Sequence, residues 1–225
     1  MSVFVAEELS EVLNTKVVIG RINMGLLNRI IIDDVLLDDQ SGQEMLKVTR
    51  LSAKFDIMPF FKGKISISSV QLFGFNINLR KETPDSPPNF KFVLDAFASK
   101  DTVKKENSLD LRINSILIRR GRMSYHVLSE EETPGKFNAK HIQLQNIIAN
   151  ISLKALSKDS LNLGIKRLSL DEKASGFSLK KMSLKLVANN KQTNIDNFTI
   201  ELPETSLKLD TIHLEYDSLK AFDRF

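Results

Sequence analysis

The chain has no cysteine and no tryptophan, and only two tyrosines and three histidines among 225 residues. Without cysteine there is no disulfide framework, no thiolate metal site and no cysteine nucleophile. That leaves the compartment open, because a large β core needs no staples. No run approaches the ~18 apolar residues of a membrane span, and the basic and apolar regions of a signal peptide are missing. No five like charges occur together. The net charge of +4 is mild. The pairs Arg119-Arg120 and Lys180-Lys181 read as solvated surface, with a phosphate patch as the alternative. Aromatics interleaved with basic residues would suit nucleic acid; here most phenylalanines share the apolar phase with Leu and Ile, so no nucleic-acid partner is expected.

Catalytic patterns are missing too. His126, His141 and His213 are scattered along the chain, and His141 and His213 fall on the polar phase of their strands, so exposed positions are expected. There is no nucleophile elbow and no dinucleotide fingerprint. Gly63-Lys64 is followed by Ile65, not the Ser or Thr of a phosphate loop. Asp33, Asp34, Asp38 and Asp39 lack the order of a calcium loop. These patterns predict a protein that is not an enzyme, with no catalytic residues, no metal site and no cofactor.

What is present is hydrophobic periodicity. Residues 4–14 predict an amphipathic helix with Val5, Leu9, Val12 and Leu13 on its apolar face and Asn14 as its stop. It would cap a sheet or lie at a membrane interface. Beyond it one pattern recurs: apolar-x-apolar-x-x-apolar-x-apolar. Clean copies include Val17/Ile19/Ile22/Met24, Ile30/Ile32/Val35/Leu37, Leu46/Val48/Leu51/Ala53 and Ile65/Ile67/Val70/Leu72. Others are Leu111/Ile113/Ile116/Ile118, Phe137/Ala139/Ile142/Leu144, Leu163/Ile165/Leu168/Leu170, Phe177/Leu179/Met182/Leu184 and Leu207/Leu209/Ile212/Leu214. A weaker copy is Ile195/Phe198/Ile200.

Period-two alternation keeps one face of a strand apolar. The x-x step would flip that face, unless a β-bulge re-aims the residues beyond it. Each unit therefore predicts a bent strand with its apolar side chains on one concave side. Together they predict a mostly β fold, a curved, antiparallel-rich sheet shaped as a groove. Ile65, Ile67, Val70, Leu72, Leu111, Ile113, Ile116, Ile118, Leu168 and Leu170 are expected to line it.

Asp38 to Gly42 and Arg120-Gly121-Arg122 read as hairpin connections, Glu130 to Gly135 as an exposed loop, and Pro59 to Gly63 as a turn. Residues 81–108 form an insertion. Its prolines cannot continue a ladder, and Asn89 can cap a short helix bearing Phe90, Val93, Leu94 and Phe97. That helix would plug or line the groove, or cover a sheet edge. The whole of 1–225 reads as a single β-groove region and is expected to be a segment of a longer protein.

Leu9 to Lys81 resembles the start of TamB-like proteins of Bacteroides-type bacteria, of the TamB/AsmA-like family. The matching motifs are Leu13-Asn14-Thr15-Lys16-Val17-Val18-Ile19-Gly20-Arg21-Ile22, then Ile30 to Asp38, Leu46 to Ile57 and Gly63 to Leu72. Asp85 to Phe92 and Asp95-Ala96-Phe97 look like that group's insertion. The likeness covers about the first hundred residues; the remainder shares only the bent-strand pattern. It implies a periplasmic protein held in the inner membrane by an N-terminal anchor outside this sequence. It also implies phospholipid acyl chains or outer-membrane assembly proteins as partners, and a role in lipid transfer or outer-membrane protein assembly. A closed-core scaffold that positions envelope proteins is the alternative.

Overall fold

A computed structural model describes residues 2–26, 28–55, 67–98, 114–156 and 160–216. Ten strands form one sheet in strict chain order: β1 (Val17–Gly25), β2 (Arg29–Asp38), β3 (Glu44–Phe55), β4 (Ile67–Lys81), β5 (Ser115–Val127), β6 (His141–Leu156), β7 (Ser160–Glu172), β8 (Ser178–Asn189), β9 (Gln192–Glu201) and β10 (Ser206–Glu215). Helix α1 (Ser2–Leu13) precedes them, and α2 (Lys91–Ala98) lies between β4 and β5. Neighbours pair antiparallel except β4 and β5, which run parallel. A parallel pair requires the chain to return along the sheet, and the insertion carrying α2 is that return. The sheet is open and does not close into a barrel.

Two bends fall where the sequence places its x-x steps: Asp34 (φ 57°) in β2 and Asn197 (φ 53°) in β9 sit there in the left-handed region. In β4, β5 and β6 the bend lies farther along than the spacing predicts, at Gly74 (φ 64°), Arg120 (φ 57°) and Asn146 (φ 54°), just beyond the expected units ending at Leu72, Ile118 and Leu144. The pairing register shifts around Arg120 and Asn146. A left-handed residue inside a strand turns the chain by the one position needed to keep the apolar face on one side. Two expectations are corrected here. Arg120-Gly121-Arg122 is no hairpin connection but a bulge within a continuous β5. Phe137 and Ala139 precede β6 rather than belonging to it, and Phe137 is exposed. Pro59 to Gly63 lies outside the described residues.

Curvature is visible in burial. Val48, Phe75, Ile147 and Ala149 are nearly inaccessible, while Lys47, Arg50 and Arg119 on the opposite face are exposed. Backbone contacts run between adjacent strands, but side chains reach farther: Phe75 of β4 shares a buried cluster with Ile147 of β6, two strands away. The sheet therefore curls toward its apolar face. Phe75 packs with Val48 and Ile147 in the central cluster, and its ring lies over Gly121, where any side chain would collide with it. Across the line of bends, the outer face carries its own ladder. Asp33 accepts from Arg50 Nε at 2.6 Å and faces Arg21 at 4.0 Å, and Arg120 stacks over the Phe73 ring at 5.2 Å. The hydrogen bond from Arg50 holds the Asp33 carboxyl below its usual range.

Helix α1 ends at Asn14 in the left-handed conformation (φ 48°), the usual helix stop. Its inward face differs from the expected one. Ala6 and Leu13 pack with Val17, Ile19, Leu37 and Met45, whereas Leu9 and Val12 face solvent. Phe90, Phe92 and Val93 join the same cluster, so α2 and the residues before it close one end of the apolar face beside α1. Asn89 is not a helix cap. Its side chain accepts from the Arg80 backbone N–H and donates to Asp39 and to the Asn78 carbonyl.

A Cβ added at Gly121 would lie 2.4 Å from the Phe75 ring. Gly121→Val is therefore expected to lower stability by about 1–3 kcal/mol, the cost of overpacking a formed core, measured by urea denaturation.

Candidate functional site

The register builds the site residue by residue. Ile22, Ile32, Leu51, Leu72, Ile118, Ala149, Leu168, Met182, Ile200 and Leu207 pair in turn from β1 to β10. They form one apolar row across all ten strands with no polar member. Beside it runs a second row, Met24, Ile30, Ala53, Val70, Ile116, Ile151, Ile165 and Leu184. In the first row only Ala149 is buried; Leu207 is exposed and the other eight are half-buried. No large side chain among the described residues is fully buried. The rows form a trough floor curled by the bulges and left partly open to solvent.

Val70, Leu72, Ile116, Ile118 and Leu168 lie in these two rows. Leu170 pairs with Leu179 one step along the same face. Ile67 belongs to β4 opposite Phe55. Ile65, Leu111 and Ile113 lie outside the described residues, as does the side chain of Ile67.

One rim of the sheet is stitched by buried polar groups. In the β2–β3 turn, Asp39 accepts from Ser41, Gln43, Asn89 and Arg80, the last at 2.6 Å. Burial pushes its pKa up, but the hydrogen bonds from Ser41, Asn89 and the backbone outweigh that and hold it low. In the β7–β8 turn, Glu172 accepts from the backbone N–H of Gln143, Ala174 and Ser175 and from the Ser175 hydroxyl. Between these turns, on the β5–β6 hairpin, His126 and His141 meet.

That meeting corrects the expectation of scattered, exposed histidines. His141 is 7% exposed, and its Nδ1 lies 3.0 Å from Nδ1 of His126. The signal lay in the pairing. Residues 126 and 141 flank one loop and stand opposite each other once β5 and β6 form a hairpin. His213 is exposed, as its polar phase predicts, and pairs with Glu215 and Asn194.

A cleft of about 670 Å³ lies at this rim between the end of α1, the β2–β3 turn and the insertion. Four of its charged groups pair with one another, Arg80 with Asp39 and Lys91 with Asp95 at 2.6 Å, and Lys81 donates to the Pro84 carbonyl. Among the described residues no helix is long and apolar enough to cross a membrane. No family model and no curated protein matches the chain.

For Glu172, burial raises the pKa, but hydrogen bonds from the Ser175 hydroxyl and three backbone N–H groups overcome it and bring it down to about 2. A depressed carboxylate stabilises the fold above its unfolded pKa and loses that contribution as pH falls through the folded value. The stability of the wild-type chain is therefore expected to decline between the ordinary glutamate range and about pH 2. Glu172→Gln should flatten that decline and cost about 1.5–3 kcal/mol at pH 7, the range for hydrogen bonds to a charged group. Urea titrations across pH on both proteins measure this.

Proposed function

We propose that the chain is a non-enzymatic lipid-sheltering segment whose apolar trough takes phospholipid acyl chains. The observation that carries this reading is the unbroken apolar row across ten strands, mostly half-buried and, beyond the end that α1 and α2 close, with no second layer over it among the described residues. Strands spaced about 4.8 Å apart make that row roughly 43 Å long, longer than an extended acyl tail. Sheltering a methylene from water is worth about 0.8 kcal/mol, so a tail of about fifteen gains on the order of 12 kcal/mol. A polar residue in the floor would be a barrier to a sliding chain, and the first row contains none. The headgroup stays in water at the lips, so the reading needs no basic clamp and agrees with the weak +4 charge.

The resemblance to TamB-like proteins points the same way and supplies the proposed setting: the bacterial periplasm, as part of an inner-membrane-anchored protein that moves phospholipid between membranes or serves outer-membrane assembly. A scaffold would seal its apolar interior; the half-exposed row favours the groove.

The test is mass spectrometry of lipids co-purifying with the chain, paired with Ile116→Asp, which places a charge on the floor of β5. Wild type is expected to carry phospholipid, and the variant to lose most of it while circular dichroism stays unchanged. A well-folded wild type free of phospholipid, or unaltered binding in a folded variant, overturns the groove reading.

A further inference from the structure

The β5–β6 hairpin brings together three groups that the trough does not use. His126 Nδ1 lies 3.0 Å from His141 Nδ1, and Glu132 Oε1 lies 3.9 Å from His126 Nδ1. One ligand atom from each of the three falls within 4.8 Å of the other two. We propose that His126, His141 and Glu132 form a binding site for one divalent transition-metal ion of the zinc class.

The tautomers carry the argument. His141 Nε2 lies 2.9 Å from the Glu130 carbonyl oxygen. That oxygen can only accept, so Nε2 carries the ring proton and, in the neutral ring, Nδ1 presents a bare lone pair. The Nδ1 of His126 faces that lone pair directly. With its proton on Nδ1, His126 donates an ordinary hydrogen bond to that lone pair; with its proton on Nε2, two lone pairs face each other and a cation between them relieves the repulsion. Nitrogens bound about 2.0–2.1 Å from zinc are held roughly 3 Å apart at adjacent corners of a six-coordinate shell, and a little farther apart in a tetrahedron. The observed 3.0 Å fits the first and needs only slight opening for the second. The contact between His141 and the Glu130 carbonyl is the outer hydrogen bond that orients a metal-binding histidine.

The third donor can move. The Glu132 side chain is 64% exposed, so its carboxylate is free to swing toward the nitrogens. Two imidazoles and one carboxylate suit zinc and its borderline neighbours better than magnesium or calcium, which want oxygen. Two nearby cations are held elsewhere. Arg80, the register neighbour of His126 on β4, is bound to Asp39 at 2.6 Å, and Lys140 is bound to Glu130 at 2.7 Å. A cleft of about 230 Å³ beside Glu132 and His141, lined also by Lys173, gives an ion and its waters access. A bound ion would tie the end of β5, the 128–140 loop and the start of β6 to one point.

The experiment is isothermal titration of the chelator-treated full chain with zinc chloride. One ion per chain is expected, with micromolar or tighter affinity and a rise in melting temperature. His126→Gln should weaken binding at least 100-fold and Glu132→Gln about tenfold. Both positions are less buried than His141, and circular dichroism checks their folding. His213→Gln, which removes the exposed His213–Glu215 pair, should change nothing. Absence of binding, or binding that survives both His126→Gln and Glu132→Gln, overturns the site and leaves the two imidazoles as a hydrogen-bonded pair. Either result is independent of lipid content.

Discussion

A sheet with one apolar face and no second layer must curl around that face or leave it in water. This chain curls. Bulges recur along the strands, and where Asp34, Gly74, Arg120, Asn146 and Asn197 take the left-handed conformation the backbone bears the cost of the bend. Most other features depend on that solution. The central cluster of Val48, Phe75 and Ile147 is buried by the sheet's own curvature. Gly121 is bare because the Phe75 ring occupies the inside of the bend. The outer face, stretched where the inner face is compressed, holds the Arg21–Asp33–Arg50 ladder.

The bend was legible because it breaks parity. An apolar residue one position out of phase stands out in a strand that must keep one face dry, so β2, β7 and β10 could be placed from spacing alone. The same logic failed where the phase signal was ambiguous. Arg120-Gly121-Arg122 has turn chemistry, yet in β5 its glycine serves the packing of a ring from β4. In β6 the run Ile147 to Leu153 continues the apolar face past a second bulge, while Phe137 and Ala139 upstream mimic the pattern by chance. In α1 the contacts of Ala6 were hidden because the larger Leu9 and Val12 dominate the apolar moment while facing outward.

The site divides the same way. The trough rows were legible as far as they are repetitive. The register that joins Leu72 to Ile118 across a parallel pair depends on the insertion and could not be read from local spacing. The rim was almost wholly illegible. Asp39 and Glu172 are single acidic residues in turns, indistinguishable in sequence from solvated ones, and only the fold turns backbone N–H groups toward them. The histidine pair depends on hairpin register across a loop, which motif scanning does not see. Buried polar groups at one rim and a half-wet apolar floor elsewhere give the sheet an asymmetry: fastened along an edge, open across its middle.

Because the backbone contacts lie between adjacent strands, much of the stability in such a sheet accumulates pair by pair, as in repeat proteins. Duplicating or deleting a hairpin away from the central cluster would change how far the trough reaches without altering its cross-section. Span is thus an adjustable quantity in this architecture, set by counting strands, while the chemistry of the face is set by the inward residues of each one. Copying strands would lengthen the sheet, and every copy would inherit the bend.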